Sequence, residues 1–192
     1  MGKEFELKYL ASPEILQKIQ EEFGDFHAIS METHYYDTKD RSLQALRWTL
    51  RRRLENNRSV CGLKTPGKDL IRGEWETESP SMEEGLQALY RMDVPEDFER
   101  LTRAGILEVC GARFTRLAQE VPTEDGTVEL ALDQGVFLGG GQERPFSELE
   151  VELKSGSRQA AEAFAAELAR KYRLETFWIS KFERAMALAQ GE

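Results

Sequence analysis

The residues of this chain best suited to chemistry lie towards its two ends. Glu4, Glu6 and Lys8 read E-x-E-x-K, and Glu148, Glu150, Glu152 and Lys154 read E-x-E-x-E-x-K. Alternate side chains of a β-strand share a face. Each run would therefore display carboxylates and then an ammonium on one side, with Phe5, Leu7 and Tyr9, or Leu149, Val151 and Leu153, on the other. Taken alone, the first run also reads as the wet face of an edge strand, where charge discourages aggregation. The second run, about 140 residues later, changes the weighing. If the two strands are neighbours, five carboxylates meet, and like charge at that density needs cations. Hard oxygen clusters of this kind suit Mg²⁺ or Mn²⁺.

Basic residues concentrate elsewhere. Arg47, Arg51, Arg52, Arg53, Arg58, Lys64, Lys68 and Arg72 fall in one stretch. Arg51 and Arg53 share a strand face, and Lys64 shares one with Val60 and Gly62, whereas Arg52 is off that parity. Two readings stand: a solvated cationic hairpin, or a wall that binds phosphate, for which the guanidinium fork is suited. The net charge of −9 argues against general nucleic-acid binding, which needs a basic surface.

The elements that must position these groups follow from periodicity. Strands are expected at 3–10, 30–37, 45–55, 58–65, 71–79, 106–110, 112–121 and 127–134, and through the second glutamate run. Asn56-Asn57, Thr65-Pro66-Gly67-Lys68-Asp69 and Glu124-Asp125-Gly126 mark turns, and Gly139-Gly140-Gly141 reads as a flexible turn rather than a phosphate loop. Ser12-Pro13 starts a helix that ends at Gly24. Ser81-x-x-Glu84 starts another as a capping box, Pro95 a short third, and 158–173 and 180–185 are helical. Polar parity recurs from strand to strand: Arg72, Glu74, Glu76 and Glu78 share a face, as do Glu129, Ala131 and Asp133. A sandwich core would not tolerate this. Closing about eight antiparallel strands into a barrel would give each strand an inside, and that inside would be polar. The expected class is therefore α+β: an eight-stranded antiparallel β-barrel, or tunnel, with a polar lumen and flanking helices. Carboxylates from Glu4, Glu6, Glu148 and Glu150, with Asp133 and Glu152, would face arginines and lysines across it, a cavity for a polyanion that arrives with divalent metal.

The chain has 192 residues, 40% of them hydrophobic, enough for one substantial core, and a single domain over 1–192 is expected. No apolar run approaches the roughly 20 residues that cross a bilayer, and the start MGKEFELKYL lacks a signal-peptide pattern. A cytoplasmic protein without a membrane partner is expected. Cys61 and Cys110 read as small buried hydrophobes, and His27 and His34 as structural or surface residues. Nothing sets the oligomeric state; a homodimer is compatible with the sequence.

At this point the residues resemble the CYTH domain of the triphosphate tunnel metalloenzymes. The likeness runs in order through Glu4-x-Glu6-x-Lys8, Tyr35-Tyr36-Asp37-Thr38, Leu50-Arg51-Arg52-Arg53, Leu63-Lys64, Arg72-Gly73-Glu74-Trp75-Glu76, Phe114-Thr115-Arg116, Leu132-Asp133, the Glu148 to Lys154 run, and Ser180-Lys181-Phe182-Glu183-Arg184. The resemblance implies an eight-stranded antiparallel tunnel. It also implies Mg²⁺- or Mn²⁺-dependent hydrolysis of inorganic triphosphate to pyrophosphate and phosphate, in a form closer to the bacterial triphosphatase branch. Class IV adenylate cyclase, thiamine triphosphatase and a non-catalytic polyphosphate- or nucleotide-binding module are the alternatives. The resemblance assigns Lys8, Arg51, Arg53, Lys64, Arg116, Lys154 and Lys181 to the triphosphate, and Glu4, Glu6, Glu148 and Glu150 to metal and catalysis. Asp133, Glu152, Glu74 and Glu76 become supporting acids, the last two orienting the basic residues or a second metal. Lys8 is favoured as a phosphate ligand over a base, because adjacent glutamates hold its proton. Arg113, one residue off the face of Arg116, is left unassigned.

Overall fold

A computed structural model describes the backbone of residues 2–67 and 71–192, and side chains of residues 5–67 and 73–192. The chain runs β1 (Gly2–Leu10), α1 (Pro13–Phe23), β2 (His27–Asp37), α2 (Ser42–Ala45), β3 (Thr49–Glu55), β4 (Arg58–Thr65) and β5 (Ile71–Glu78). It continues through α3 (Met82–Tyr90), α4 (Glu96–Thr102), β6 (Leu107–Thr123), β7 (Gly126–Gly139), β8 (Gln142–Gly156), α5 (Arg158–Tyr172), β9 (Glu175–Thr176) and α6 (Lys181–Gln190). The two strands expected at 106–110 and 112–121 are one strand, β6. The one-turn helix α2 and the short β9 carry too few residues for a periodic signal.

All pairings are antiparallel, in the order β5-β4-β3-β2-β6-β7-β8-β1-β9. The two-residue β9 makes the sheet nine-stranded rather than eight-stranded, and β1 also pairs with β5 at the far end of that order. β1 divides its length: Gly2–Phe5 pair with β5, and Glu6–Leu10 pair with β8. The strongly curved sheet has a concave face and a convex face, and the expected inversion of polarity holds. Two sets of convex residues are apolar and lie under helices. Phe5, Leu7, Val128, Leu130, Leu149 and Val151 pack beneath α1 and α5, whose Leu16, Ile19, Ala161, Ala165 and Leu168 are buried. The small alanines of α5 let the helix approach the sheet closely. A second convex cluster joins Leu50, Cys61, Leu63 and Trp75 to Leu43 of α2, Met82 and Leu89 of α3 and Phe98 of α4. Both cysteines are buried and free.

The helix ends follow from capping chemistry. Ser12, Ser81 and Ser157 each accept a hydrogen bond from a first-turn backbone N–H, while Ser180 and Glu183 form a reciprocal capping box at the start of α6. α6 is the one helix among those described that supplies the concave face. Its Phe182, Ala185, Met186 and Leu188 pack with Met31, Tyr35, Phe114, Phe137 and Phe146, so one side of the lumen is filled with apolar side chains.

Candidate functional site

The open part of the concave face is a cavity lined by Glu6 and Lys8 of β1, Met31, Thr33 and Tyr35 of β2, Thr49, Arg51 and Arg53 of β3, Lys64 of β4, Phe114 and Arg116 of β6, Glu150 of β8, and Ser180, Lys181 and Phe182. Register explains the convergence. Paired residues of an antiparallel ladder share a face, and Lys8↔Glu150, Glu148↔Asp133, Asp133↔Arg116, Thr33↔Arg53, Tyr35↔Arg51 and Lys64↔Glu74 are all paired. Gly62 stands between Arg51 and Glu76 in adjacent ladders. A Cβ there would lie 3.3 Å from the Glu76 side chain, so glycine leaves room for the pair.

Two charged walls face each other. On one, the carboxylates of Asp133, Glu148 and Glu150 bring ligand oxygens within 4.8 Å of one another, and all three residues are buried. Lys181 reaches into the group, with Nζ 2.7 Å from Asp133 Oδ2 and 2.8 Å from Glu150 Oε1, and it also contacts Glu148. Arg116 donates from Nε and Nη2 to the two oxygens of Asp133 at 2.8 and 2.7 Å and also bonds Glu150. Lys8 Nζ lies 3.1 Å from Glu150 and 3.9 Å from both Glu148 and Glu6. Arg184, one turn beyond Lys181, donates to Glu148, and its guanidinium lies 4.6 Å from the Phe137 ring centre. An aromatic face offers such a desolvated cation some compensation.

Burial opposes ionisation of Glu150, but Lys181, Lys8 and Arg116 outweigh it and hold its pKa well below the carboxylate range. Burial likewise opposes the charge on Arg116 and Lys181. Asp133 and Glu150 overcome it, and both pKa values are raised. Arg184 is brought down to about 10, chiefly by burial.

The other wall is arginine-rich. Arg51 Nη2 bonds Glu76 at 2.9 Å and Glu74 at 3.3 Å, Arg53 pairs with Glu55 and lies 3.6 Å from Glu76, and Lys64 is 3.2 Å from Glu74. Burial weakens Arg51 as a cation, yet Glu76, Glu74 and Tyr35 raise its pKa. For Arg53 the balance reverses: burial and the neighbouring Arg51 charge lower its pKa despite Glu55 and Glu76. Arg53 keeps both carboxylate partners and also lines the open cavity, where a guanidinium is a ready partner for an anion.

The acidic triad fits a hard divalent cation by donor chemistry: three buried carboxylates, one of whose oxygens, Glu148 Oε1, touches Lys181 without forming an aligned hydrogen bond. The same oxygens hold Lys181, so an ion and the ammonium compete for them.

The CYTH domain model matches residues 2–186. The chain belongs to the CYTH domain family. An inorganic triphosphatase of Haemophilus influenzae is 31% identical over 173 residues, 83% of this chain and 47% of that protein, so the chain spans about half the length of this relative. Among solved structures, HpAC1 of Hippeastrum, an adenylyl cyclase candidate described as having a dominant triphosphatase activity, aligns with a TM-score of 0.69 at 18% identity, covering 100% of this chain and 96% of its own. The PH1819 protein of Pyrococcus horikoshii OT3 aligns with a TM-score of 0.65 at 26% identity, covering 98% and 99%.

Within this CYTH chain, the residues expected from sequence take different places. Glu6, Lys8, Arg51, Arg53, Lys64, Arg116, Glu150 and Lys181 line the cavity. Glu148 and Asp133 stand behind them in the triad, and Glu74 and Glu76 tie the arginine wall. Glu6 lies along the lining and outside the triad, while the side chains of Glu4, Lys68 and Arg72 lie outside the described residues. Lys154 is not part of the described lining. On β8 it lies beyond Glu152, with which it pairs at 3.1 Å, in the row of Glu152, Glu129 and Glu120. Arg52 and Arg113 point away from the cavity, Arg52 to Ser59 and Pro80, Arg113 to Glu143. Sequence reasoning missed Thr33, Thr49 and Arg184. Arg184 follows Lys181 by three residues on one helix, a spacing that shares a helix face and could have pointed to it.

Proposed function

We propose that this chain hydrolyses inorganic triphosphate to pyrophosphate and phosphate with a divalent ion, Mg²⁺ or Mn²⁺, held by Asp133, Glu148 and Glu150. One observation carries the reading. In a chain of net charge −9, the open cavity is lined by six basic residues, Lys8, Arg51, Arg53, Lys64, Arg116 and Lys181, against two acidic ones, Glu6 and Glu150. The Haemophilus relative's activity and that described for HpAC1 point the same way.

Arg51, Arg53 and Lys64 would bind oxygens of the phosphate chain, with Glu74 and Glu76 holding them in place before substrate arrives. This preorganisation lets the wall stabilise charge that develops on the leaving oxygens without rearranging. Lys8, Arg116 and Lys181 stand on the acidic wall and line the cavity, and would neutralise the phosphate nearest the triad. A divalent ion there would polarise phosphoryl oxygens and lower the pKa of bound water. The cytoplasmic setting and a single CYTH unit over 1–192 belong to the same proposal.

The test is to incubate the protein separately with tripolyphosphate, ATP and thiamine triphosphate, with Mg²⁺ or Mn²⁺, and to quantify phosphate, pyrophosphate and cAMP. Phosphate released from tripolyphosphate faster than from the other two is expected. Pyrophosphate with cAMP from ATP would replace the reading by cyclisation, and saturable binding without product would replace it by a binding module.

A further inference from the structure

β2 forms the floor of the lumen, between β3, which supplies Arg51 and Arg53, and β6, which supplies Arg116. Its Met31, Thr33 and Tyr35 turn into the cavity. Thr33 is paired with Arg53 on one side and Ala112 on the other, and Tyr35 with Arg51 and Cys110. Both side chains are deeply placed, at 2 and 4% exposure.

Buried polar side chains are as a rule hydrogen-bonded, and elsewhere this chain keeps the rule. Asp37, two residues beyond Tyr35, is fully buried and accepts from the backbone N–H groups of Leu43 and Gln44, both at 3.0 Å, and from that of Thr38 at 2.7 Å. This pins α2. The buried hydroxyls of Thr38, Ser79 and Thr102 donate to Asp40, to the Ser81 carbonyl and to the Phe98 carbonyl at 2.7, 2.8 and 2.7 Å. Lys8, Asp133, Glu148, Glu150 and Lys181 pair with one another. Of the buried polar side chains among the described residues, only Thr33 has no partner. The Tyr35 hydroxyl has none among them either, although its ring packs on Phe182 with centroids 5.3 Å apart. Neither oxygen is sealed in the interior, so each opens on the cavity that its residue lines.

An unpaired buried hydroxyl gives the fold nothing that an apolar group of the same shape would not give. What it offers is a donor. Arg51 and Arg53 already stand close enough that the charge on Arg51 weakens Arg53 as a cation, and a further cation on the floor would add to that repulsion. A neutral donor meets an oxyanion without doing so. Burial raises the Tyr35 pKa against the pull of Arg51 and Lys181, so the phenol keeps its proton and can donate.

We propose that Thr33 and Tyr35 are substrate-binding residues, whose hydroxyls donate to oxygens of the phosphate chain where it crosses from the arginine wall to the acidic wall. The proposal rests on the triphosphate reading above. The walls supply charge, and the floor supplies two fixed neutral donors that the free protein leaves to the solvent of the cavity.

The test measures kcat/KM for tripolyphosphate with Mg²⁺, and thermal melting without ligand, in the wild-type chain and in Thr33→Val, Thr33→Ser and Tyr35→Phe. Thr33→Val and Tyr35→Phe keep the shape and remove the donor. Each should lower kcat/KM about tenfold, as for one lost hydrogen bond to a charged group, while the ligand-free protein melts at or above the wild-type temperature. Thr33→Ser keeps the hydroxyl and should keep most of the activity. Wild-type kcat/KM in either Thr33→Val or Tyr35→Phe would overturn the floor. So would a loss in Thr33→Val that Thr33→Ser shares in full, or one that comes with a lower ligand-free melting temperature, since either marks a structural role. A wild-type chain that neither binds nor hydrolyses any triphosphate would instead overturn the function on which the floor rests.

Discussion

The two walls of the lumen are built from the same kinds of ion pair, yet they differ in how much water they keep. On the acidic wall Asp133 and Glu148 have side chains at 0% exposure, and Lys8 and Lys181 are at 8 and 10%. On the basic wall Arg53 is at 17% and Glu76 at 34%. Removing one partner of a dry pair leaves a buried charge uncompensated, whereas a wetter pair can recruit solvent. The dry wall thus ties its side chains to the stability of the fold, and the wetter wall can meet the phosphate oxygens of a ligand at lower cost.

The strongest test of that contrast is on turnover. Glu150→Gln keeps the shape and removes a charge that Lys181, Lys8 and Arg116 all use, so phosphate release from tripolyphosphate should fall by about 10² or more. Activity at the wild-type level would remove Glu150 from the site. Next in size is a matched pair of truncations. Arg116→Ala takes from Asp133 its bidentate partner and leaves it Lys181, and should lower unfolding stability by up to about 3 kcal/mol in denaturant melts. Arg53→Ala should cost far less stability and act mainly by raising KM for tripolyphosphate about tenfold. Similar stability losses in both would erase the distinction between the walls.

Competition for the triad gives a smaller, sharper effect. Lys181→Met should melt several degrees lower in the absence of divalent ions, and Mg²⁺ should restore more of its stability than it adds to the wild type. No gain from Mg²⁺ in this variant would argue against a metal at these carboxylates. The smallest effect is a pH slope. Burial raises the Glu76 pKa, but Arg51 and Arg53 outweigh it and bring it from 4.5 to about 2. Glu76 therefore adds stability above pH 4.5 that is lost as pH falls towards 2. In Glu76→Gln, stability should depend less on pH across that interval, and an unchanged slope would mean the pair carries little.

Much of the lumen was legible because strand parity is strict. Lys8, Arg51, Arg53, Arg116, Asp133, Glu148 and Glu150 each lie on an uninterrupted stretch of ladder, so a period of two was enough to put them on one face. The same rule gives a face but not a distance along it: Lys154 joins the row of Glu152, Glu129 and Glu120, beyond the described lining of the cavity. It was also blind to α6. The stripe of Phe182, Ala185 and Met186 says that a helix has a buried side, but not that this side enters the concave face and brings Lys181 and Arg184 with it. Asp37 was visible only as part of a motif; its work is done on the backbone of α2, which lacks the length to show a period.

The divided pairing of β1 has one more consequence. Since its partner changes from β5 to β8 between Phe5 and Glu6, this strand keeps register with two neighbours by only a few residues on each. A slip of a single residue would turn Phe5 and Leu7 into the lumen and press Glu6 and Lys8 under the helices. Such a conformer would put charge into an apolar layer and leave Glu150 without its lysine, so it would be expelled on energetic grounds before it could persist. Alignment error and chemical error are then one and the same event, and folding itself proofreads the cavity.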